Sequence, residues 1–368
     1  MDQRERSISS VKSPLSFSSR VSQTYPEQNQ GAGSKDFSQP TKLFGLPLQK
    51  LIRPILPFLN QVEDRLKAIA DESNGILKES SSYVLSAGGK RLRASLVILC
   101  ALSTSQGFKR KKAIIDTAVS VELIHAATLV HDDIIDHSVL RRLKPTPNIQ
   151  FGEEVALLLG DYLYSKAFHL VSTIGDNQLT LEVARTTQSM CEGELDQLKH
   201  RYRSDLSLKE YLSFIERKTA SLISVCARAG ARLAGMPIEC EESLAHFGLN
   251  IGISYQIVDD LLDVIGSEKK CGKSLKNDTG NGKMTLPLIL LLAAVNENEK
   301  KKLRSDFQAT KIDWEMIESL LKEKKIIEQT KNFADEFFAK AMNSLEIFEP
   351  SFKKSLQDLS HFIIHRDY

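Results

Sequence analysis

Three aspartates interrupt the apolar stretch from Leu129 to His137, at Asp132, Asp133 and Asp136. If this segment is helical, Asp132 and Asp136 lie one turn apart on the same face, with about 5–6 Å between their Cβ atoms. Like charges at that spacing repel, and in a partly buried setting the repulsion is relieved by protonation or by a cation. A hard divalent metal ion is the natural candidate for that cation.

The same DDxxD pattern recurs 127 positions later (259 − 132), at Asp259, Asp260 and Asp263, again after an apolar approach. A single copy more often marks the solvated face of a helix, but two copies inside apolar helices are hard to explain in that way. If the two helices face each other, six carboxylates converge on one cavity, which only metal ions make tolerable. Since Mg²⁺ combines one or two carboxylates with substrate phosphates, the pattern predicts a magnesium site that holds a phosphate-bearing substrate.

Basic side chains that could hold phosphate stand near both motifs and near the pair Gly88-Gly89, a loop-to-helix junction suited to anions. Taken singly, each is an ordinary surface charge. Taken together, they predict two diphosphate sites, one on metal and one on arginine and lysine. These residues are Lys90, Arg91, Arg93, Arg141, Arg142, Lys273, Lys276 and Lys283.

The composition bounds the class of protein. The 49 Lys and Arg residues nearly balance the 47 Asp and Glu residues, so no global basic field points to nucleic acid, and anion recognition must be local. With 42% hydrophobic residues among 368, the chain can bury a large core. Its five cysteines are odd in number and contain no CxxC pair, which is typical of a soluble protein in a reducing compartment.

The chain divides into a leader and one domain. Residues 1–45 are rich in Ser, Gln and Gly, which predicts no fixed structure; they could be a transit peptide, although Asp2 and Glu5 are atypical of one. A cytoplasmic, plastid or mitochondrial location therefore stays open. Over 46–368, apolar residues recur at three- and four-residue spacing, which predicts a single all-α domain. The longest apolar run, Thr285–Val295, is too short to span a bilayer and predicts a buried helix.

Several pieces of sequence, in a fixed order, identify a family resemblance. The chain resembles the trans-isoprenyl diphosphate synthases and, within them, the long-chain polyprenyl type from hexaprenyl to decaprenyl, which includes solanesyl-like enzymes. The matching pieces extend from about residue 60 to the end and are together highly specific. They are Gly88–Arg93, Glu122–Asp136, Arg141-Arg142, Gly160–Leu163, Glu192–Glu194, Arg217–Ser221, the second DDxxD and Gly282–Pro287.

The resemblance implies an all-α fold of antiparallel helices around a deep central cavity, in a homodimer that uses about three Mg²⁺ ions per site. By the family pattern, Asp132, Asp136 and Asp259 bind the metal, with Asp133, Asp260 and Asp263 in support. The allylic diphosphate falls to Arg141, Lys218, Thr219, Gln256 and Lys273, and isopentenyl diphosphate to Lys90, Arg93, His125 and Arg142. Judged from the residues alone, His125 fits a core histidine equally well, and Lys218-Thr219 fits a plain helix surface.

The implied reaction needs no protein nucleophile. Metal ions and cationic side chains stabilise the departing diphosphate, and an allylic cation forms in a cavity without water. The double bond of isopentenyl diphosphate attacks this cation, and a proton is then lost to the released diphosphate. This explains why no Ser-His-Asp or Cys-His constellation is visible. A long polyprenyl product would favour peripheral contact with a membrane, although the sequence encodes no anchor.

Product length is predicted from the residues one turn before the first motif, Ala127 and Thr128, which are both small. In the family, an aromatic residue at the fifth position before the motif blocks elongation. We therefore expect a long product, suited to a quinone side chain, and hypothesise that Ala127→Phe or Ala127→Tyr shortens it. One departure from the family pattern is Leu143, where a glycine usually follows the paired arginines.

Four alternatives compete with this interpretation. A farnesyl or geranylgeranyl diphosphate synthase performs the same chemistry, and Ala127 argues against it. A terpene cyclase shares the first acidic motif, but its second motif carries Asn or Asp with Ser or Thr and Glu. A non-catalytic regulatory subunit of a heteromeric synthase commonly loses an acidic motif or the arginines, which this chain retains. The last is a structural helical bundle with solvated acidic faces.

Overall fold

The computed structural model describes residues 53–265, 277–309 and 312–364. The predicted leader, residues 1–45, and Lys273 and Lys276 lie outside these ranges. Within them the chain is helical almost throughout, as the three- and four-residue spacing predicts. The one sheet of the described residues is a two-stranded hairpin.

The first half of the described chain begins with a 3₁₀ turn at Arg53–Ile55. Two of its long helices, Lys111–Ile135 and Glu153–Thr173, pack side by side. Its elements are α1 (Leu56–Asp71), α2 (Gly75–Leu85), α3 (Leu92–Ala101), α4 (Ser105–Lys109), α5 (Lys111–Ile135), β1 (Leu140–Arg141), β2 (Lys144–Pro145), α6 (Pro147–Phe151), α7 (Glu153–Thr173) and α8 (Asn177–Lys199).

The second half contains a helix that changes its winding midway. Its elements are α9 (Leu208–Ile215), a π-helical segment (Glu216–Ala220), α10 (Ser221–Leu233), α11 (Ile238–Ile265), α12 (Asn277–Gly280), α13 (Leu286–Ala294), α14 (Glu297–Gln308), α15 (Trp314–Glu323), α16 (Ile326–Ser344) and α17 (Pro350–Ile364). α9, the π segment and α10 follow one another without a break.

The centre of the larger core is α5. Its residues from Ala118 to Ile124 are all buried, on every side of the helix, because α3, α7 and α10 pack against it. A helix that is apolar all round is expected in such a central position. At 1.5 Å per residue, α5 spans roughly 37 Å, so its last turn carries the first aspartate motif far from its first turn.

A second core forms where α11 packs against α13 and α16. The predicted buried helix is found here as α13, with Leu286, Leu288 and Leu291 inside. Since α11 also packs against α10, this one helix belongs to both cores. Its last turns carry the second aspartate motif.

Among the described residues, one helix, α5, is long and apolar enough to be considered as a membrane span. By length and apolar composition alone α5 could cross a bilayer, but a core helix passes the same test, and 67% of the most apolar window of α5 is buried inside the bundle.

Cys100, Cys191, Cys226 and Cys240 are free thiols. No disulfide therefore forms among these four.

The hairpin β1–β2 carries the paired arginines through a strained turn. Leu140 pairs with Pro145 and Arg141 with Lys144, which leaves a two-residue turn of Arg142 and Leu143. Their φ angles are +52° and +62°, as a type I′ turn requires. Glycine normally fills such a position, whereas a bulky residue is disfavoured there. The departure noted at Leu143 is therefore a point of backbone strain.

We predict that Leu143→Gly stabilises the protein by about 1 kcal/mol, because it removes the left-handed penalty. The leucine side chain is 78% exposed, so little packing is lost. Leu143→Ala is the matched control, since it shortens the side chain but keeps the Cβ atom that causes the strain. Urea denaturation midpoints measure both variants, and an equal effect of Gly and Ala would contradict the account.

Candidate active site

A cavity of about 630 Å³ opens where the ends of α5, α8 and α11 meet the π segment. Most of the residues predicted from the two motifs and their basic neighbours line it, so the two DDxxD helices do face one cavity. These lining residues are Asp132, Asp136, Asp259, Asp263, Arg93, His125, Thr128, Arg141, Arg142, Lys218, Thr219 and Gln256.

Other predicted residues lie elsewhere. Asp133 and Asp260 are 1% and 5% exposed and point into the protein, and Ala127 is wholly buried in the larger core. The Lys90 ammonium lies 5.1 Å from the ring centroid of Phe362, away from the cavity lining.

The cavity is charged at one level and less polar one helical turn deeper. Asp132, Glu194 and Asp259 lie on three helices, and the lining residues four positions before them are Thr128, Met190 and Tyr255. Four positions after Lys218 stands Leu222. Because residues four apart share a helix face, each polar side chain has a less polar one beneath it. The Thr128 hydroxyl donates to the carbonyl of His125 at 2.8 Å, so it leaves no unpaired group in this layer.

Asp133 is bound by an arginine of the hairpin. Arg141 donates from Nη2 to Asp133 Oδ1 at 2.8 Å and from Nε to both carboxylate oxygens at 3.0 and 3.1 Å. Burial raises the pKa of Asp133, and the guanidinium opposes that rise. Asp133 therefore orients Arg141, which itself faces the cavity, and supports the site indirectly.

Asp132 and Glu194 share one lysine. The Lys218 ammonium lies 3.8 Å from Asp132 and forms an ion pair with Glu194, and it also donates to Gln197 at 3.3 Å. Burial raises the pKa of Asp132, with Lys218 acting against it and the Glu194 charge adding to it. The carboxylates of Asp132 and Glu194 thus share the Lys218 ammonium, so their combined negative charge is only partly neutralised. A further positive charge in this corner of the cavity would be stabilised.

Asp136 ends α5 and has two cationic partners. Arg201 and Lys283 each lie 2.5 Å from one of its carboxylate oxygens. Lys283 is almost completely buried and also contacts Asp278 at 3.3 Å. Asp136 and Asp278 hold the pKa of Lys283 above its usual value despite burial, so this lysine is charged.

The π segment brings Lys218 and Thr219 close to two helices at once, because glycines on both sides leave room. A Cβ atom on Gly193 of α8 would lie 2.9 Å from Arg217 Cβ, and one on Gly252 of α11 would lie 2.5 Å from Ala220 Cα. Neither distance is tolerable without displacement of the backbone. π turns within α-helices are frequent at functional sites. Here the π segment carries two of the predicted diphosphate ligands, Lys218 and Thr219.

A hydrogen-bond network holds Asp260 behind the cavity wall. Tyr211 donates to its Oδ2 and Gln256 to its Oδ1, both at 2.8 Å, and Thr219 donates to Gln256 at 2.9 Å. Burial and the nearby charge of Asp278 raise the pKa of Asp260 to about 7, although both donors favour the ionised form.

The basic wall lies around His125. Arg93, Arg141 and Arg142 line the cavity with it. Burial and these arginines hold the pKa of His125 well below its usual value, so the imidazole is neutral. Arg142 donates to the carbonyl oxygen of Gly88, which ties the hairpin to the glycine loop.

Arg91, which the sequence grouped with Lys90 and Arg93, has a structural role instead. It pairs with Glu63 at 2.6 Å and with Glu122 at 3.2 Å, so both ends of its guanidinium are engaged.

Sequence reasoning missed four residues as site members: Glu194, Arg201, Tyr211 and Asp278. Glu194 stood in a matching piece without an assigned role, and Lys283 was grouped only with loop lysines. Arg201 and Tyr211 gave no signal, since their contacts with Asp136 and Asp260 join positions 65 and 49 residues apart.

The structure corrects the expected convergence of six carboxylates. Asp133 and Asp260 face protein partners, and among the described residues no group of three or more His, Cys, Asp or Glu side chains has a metal-binding arrangement. The physical reason is that each of these two acids is held by donors within the protein, Asp133 by Arg141 and Asp260 by Tyr211 and Gln256. Asp132, Asp136 and Asp259 still line one cavity with oxygen donors alone, and this donor set fits a hard cation such as Mg²⁺.

Fold and cavity together define an all-α protein of the trans-prenyl diphosphate synthase class. Comparison with known proteins bears this out: the polyprenyl synthetase family model matches residues 74–324, and the chain belongs to that family. It is 35% identical over 312 residues to heptaprenyl diphosphate synthase component 2 of Geobacillus stearothermophilus, covering 84% of this chain and 96% of that protein.

Two further relatives show the range of the family. A short chain isoprenyl diphosphate synthase of Methanocaldococcus jannaschii is 35% identical, over 84% of this chain and 95% of its own length. A crystal structure of polyprenyl synthase from Caulobacter crescentus, complexed with calcium and isoprenyl diphosphate, superposes with a TM-score of 0.80 at 30% identity, covering 87% and 98% of the two chains. The prediction of a prenyl diphosphate synthase is therefore confirmed, while the relatives span more than one product length.

The raised pKa of Asp260 predicts a pH dependence of stability. Its folded-state value of about 7 lies above the ordinary value of 3.8, so folding favours the protonated acid. That contribution is complete at low pH and is lost as pH rises through about 7. We predict that metal-free wild type loses more stability between pH 5 and pH 8 than Asp260→Asn, by at least about 1 kcal/mol, the equivalent of one pKa unit.

Urea unfolding of both proteins at the two pH values measures the difference. Equal losses in the two proteins would contradict the assignment of this titration to Asp260.

Proposed function

We propose that the protein is an Mg²⁺-dependent trans-polyprenyl diphosphate synthase. It condenses isopentenyl diphosphate head-to-tail (1′-4) onto an allylic diphosphate and makes a long all-trans chain, suited to a quinone side chain. The observation that supports this best is the layered cavity, with acidic and basic side chains at one level and smaller or apolar ones a turn deeper. Such a cavity accepts a charged head and a hydrocarbon tail in one orientation.

The metal ligands are proposed to be Asp132, Asp136 and Asp259, with Asp263 in support. About three Mg²⁺ ions per site would neutralise the diphosphate and polarise its bond to the allylic carbon. The calcium and isoprenyl diphosphate in the Caulobacter crescentus relative are consistent with a hard cation beside this substrate class. Lys218 and Lys283, which lie beside Asp132 and Asp136, would be able to contact phosphate oxygens if those two carboxylates held a metal ion.

The chain's own residues then supply position and charge. Arg141, Lys218, Thr219 and Gln256 hold the allylic diphosphate, and Lys273, which lies outside the described residues, is proposed to join them. As the carbon–oxygen bond breaks, these cations stabilise the negative charge that develops on the leaving group. The deeper layer excludes water, so the allylic cation meets only the double bond of the second substrate. The cation formed by this attack loses a proton to the released diphosphate, which restores a double bond in the lengthened chain.

Isopentenyl diphosphate is proposed to bind at the basic wall. Arg93 and Arg142 supply positive charge, while neutral His125 can donate one hydrogen bond without adding a charge. Lys90 can contribute only if its side chain leaves the ring of Phe362.

A homodimer is proposed from exposed apolar side chains on α7. The neighbouring residues Leu157 and Leu158 are 51% and 65% exposed. Exposed leucines side by side are typical of a protein–protein interface, and a second copy is the simplest partner.

Product length is tested best at Thr128, which faces the cavity. We predict that Thr128→Phe shortens the product by at least one isoprene unit, since the ring would fill the layer below Asp132. Thr128→Val is the matched control, because it keeps the size and removes only the hydroxyl. Ala127→Phe tests the original hypothesis less cleanly, because added volume in a filled core costs about 1–3 kcal/mol.

Chromatography of the dephosphorylated products gives the chain length for each variant. A Thr128→Phe product as long as that of wild type would refute the proposed path of the growing chain.

The activity itself is tested with radiolabelled isopentenyl diphosphate, farnesyl or geranylgeranyl diphosphate, and Mg²⁺. We expect products longer than geranylgeranyl diphosphate, abolished by EDTA and reduced at least about 100-fold by Asp132→Asn. Products that stop at farnesyl or geranylgeranyl length would keep the chemistry and refute the long chain.

A second candidate is a subunit that needs a different partner for activity. The Geobacillus stearothermophilus relative is named as component 2 of its synthase, which favours this alternative. Absence of product from the purified chain alone, with activity in a cell extract of its source, would support it.

A further inference from the structure

One hydrogen-bond chain joins the second aspartate motif to the π segment. It runs from the Tyr211 hydroxyl to Asp260, from Asp260 to the Gln256 amide, and from that amide to Thr219, with no step longer than 2.9 Å. Asp259, the neighbour of Asp260, and Thr219 both line the cavity. This series of hydrogen bonds therefore links a proposed metal ligand on α11, Asp259, to a proposed diphosphate ligand on the π segment, Thr219.

The tyrosine is aimed at Asp260 by its own helix. Ser207 and Glu210 form a capping box that starts α9, and the Tyr211 amide donates to the Ser207 carbonyl at 3.0 Å. The Tyr211 side chain is only 2% exposed and packs in the second core. A buried hydroxyl needs a partner, and the Asp260 carboxylate satisfies it.

Both oxygens of Asp260 are engaged, one by Tyr211 and one by Gln256. Removal of the hydroxyl would leave one oxygen without its donor and allow the carboxylate to turn. The Gln256 amide would then lose its fixed orientation toward Thr219. A change at Tyr211 would therefore displace both Asp259 and Thr219, although Tyr211 itself is not among the residues that line the cavity.

We propose that Tyr211 is a positioning residue that holds Asp259 and Thr219 at a fixed separation, so that metal and diphosphate bind together. The inference rests on the proposed function. It assigns a role in metal binding to a residue outside both aspartate motifs and outside the cavity lining.

Tyr211→Phe removes the hydroxyl and keeps the ring in its core. Tyr162→Phe is the matched control: its hydroxyl also makes a part-buried hydrogen bond, to Ser73 at 2.7 Å, but α7 carries it away from the cavity lining. Tyr211→Phe deletes a buried hydrogen bond to a carboxylate and Tyr162→Phe a part-buried one to a hydroxyl, so the first should cost more thermal stability, and both variants are compared at a temperature where they are fully folded. Only the first should alter metal binding.

Calorimetric titration of Mg²⁺ into each protein, in the presence of methylenediphosphonate, measures metal binding without turnover. We expect Tyr211→Phe to bind Mg²⁺ about tenfold more weakly than wild type. Tyr162→Phe should bind Mg²⁺ within about twofold of wild type, because the Tyr162 hydroxyl contacts Ser73 and no residue that holds a proposed metal ligand. Thermal melting monitors the fold of both variants.

Unchanged Mg²⁺ affinity in a folded Tyr211→Phe would overturn the inference and leave the proposed function intact. Equal weakening in Tyr162→Phe would also overturn it, because the effect would then follow general destabilisation. If wild type itself bound no Mg²⁺ beside methylenediphosphonate, both the proposed function and this inference would fall.

Discussion

Burial of several carboxylates in one cavity is the constraint on which the rest of the site depends. An unpaired buried carboxylate is expensive, so each acid must meet a cation, a hydrogen-bond donor or a proton. Asp132 and Asp136 meet Lys218, Arg201 and Lys283, which come from three separate parts of the chain. The ends of α5, α8 and the π segment are thereby drawn to one point, together with the loop before α13.

The same pairing suits the proposed chemistry. If metal ions were bound by Asp132 and Asp136, the lysines beside these carboxylates would be able to contact phosphate oxygens. The close approach of the π segment to α8 and α11, which places Lys218 at the cavity, depends on two glycines. Gly193 and Gly252 admit the π segment between α8 and α11, and a methyl group at either position would push Lys218 and Thr219 away from the cavity.

Much of the fold, and the meeting of the two aspartate motifs at one cavity, could be predicted from the sequence, because local spacing encodes the helices and the positions of the motifs on them. Apolar periodicity gave the helices, and the two DDxxD patterns gave the helix ends that meet at the cavity. The partners of Asp136 and Asp260 could not be predicted, since Arg201 and Tyr211 reach them only through the tertiary fold. Nor could the inward direction of Asp133 or the burial of Ala127, because both depend on how α5 is rotated about its axis.

The central claim is that the acidic wall binds metal ions that hold an allylic diphosphate. The most direct measurement is anomalous X-ray diffraction from crystals grown with Mn²⁺ and an unreactive thio-analogue of the allylic substrate. The account predicts Mn²⁺ peaks between the analogue's diphosphate and the carboxylates of Asp132, Asp136 and Asp259. A diphosphate bound by arginines and lysines alone, with no Mn²⁺ at these carboxylates, would contradict it.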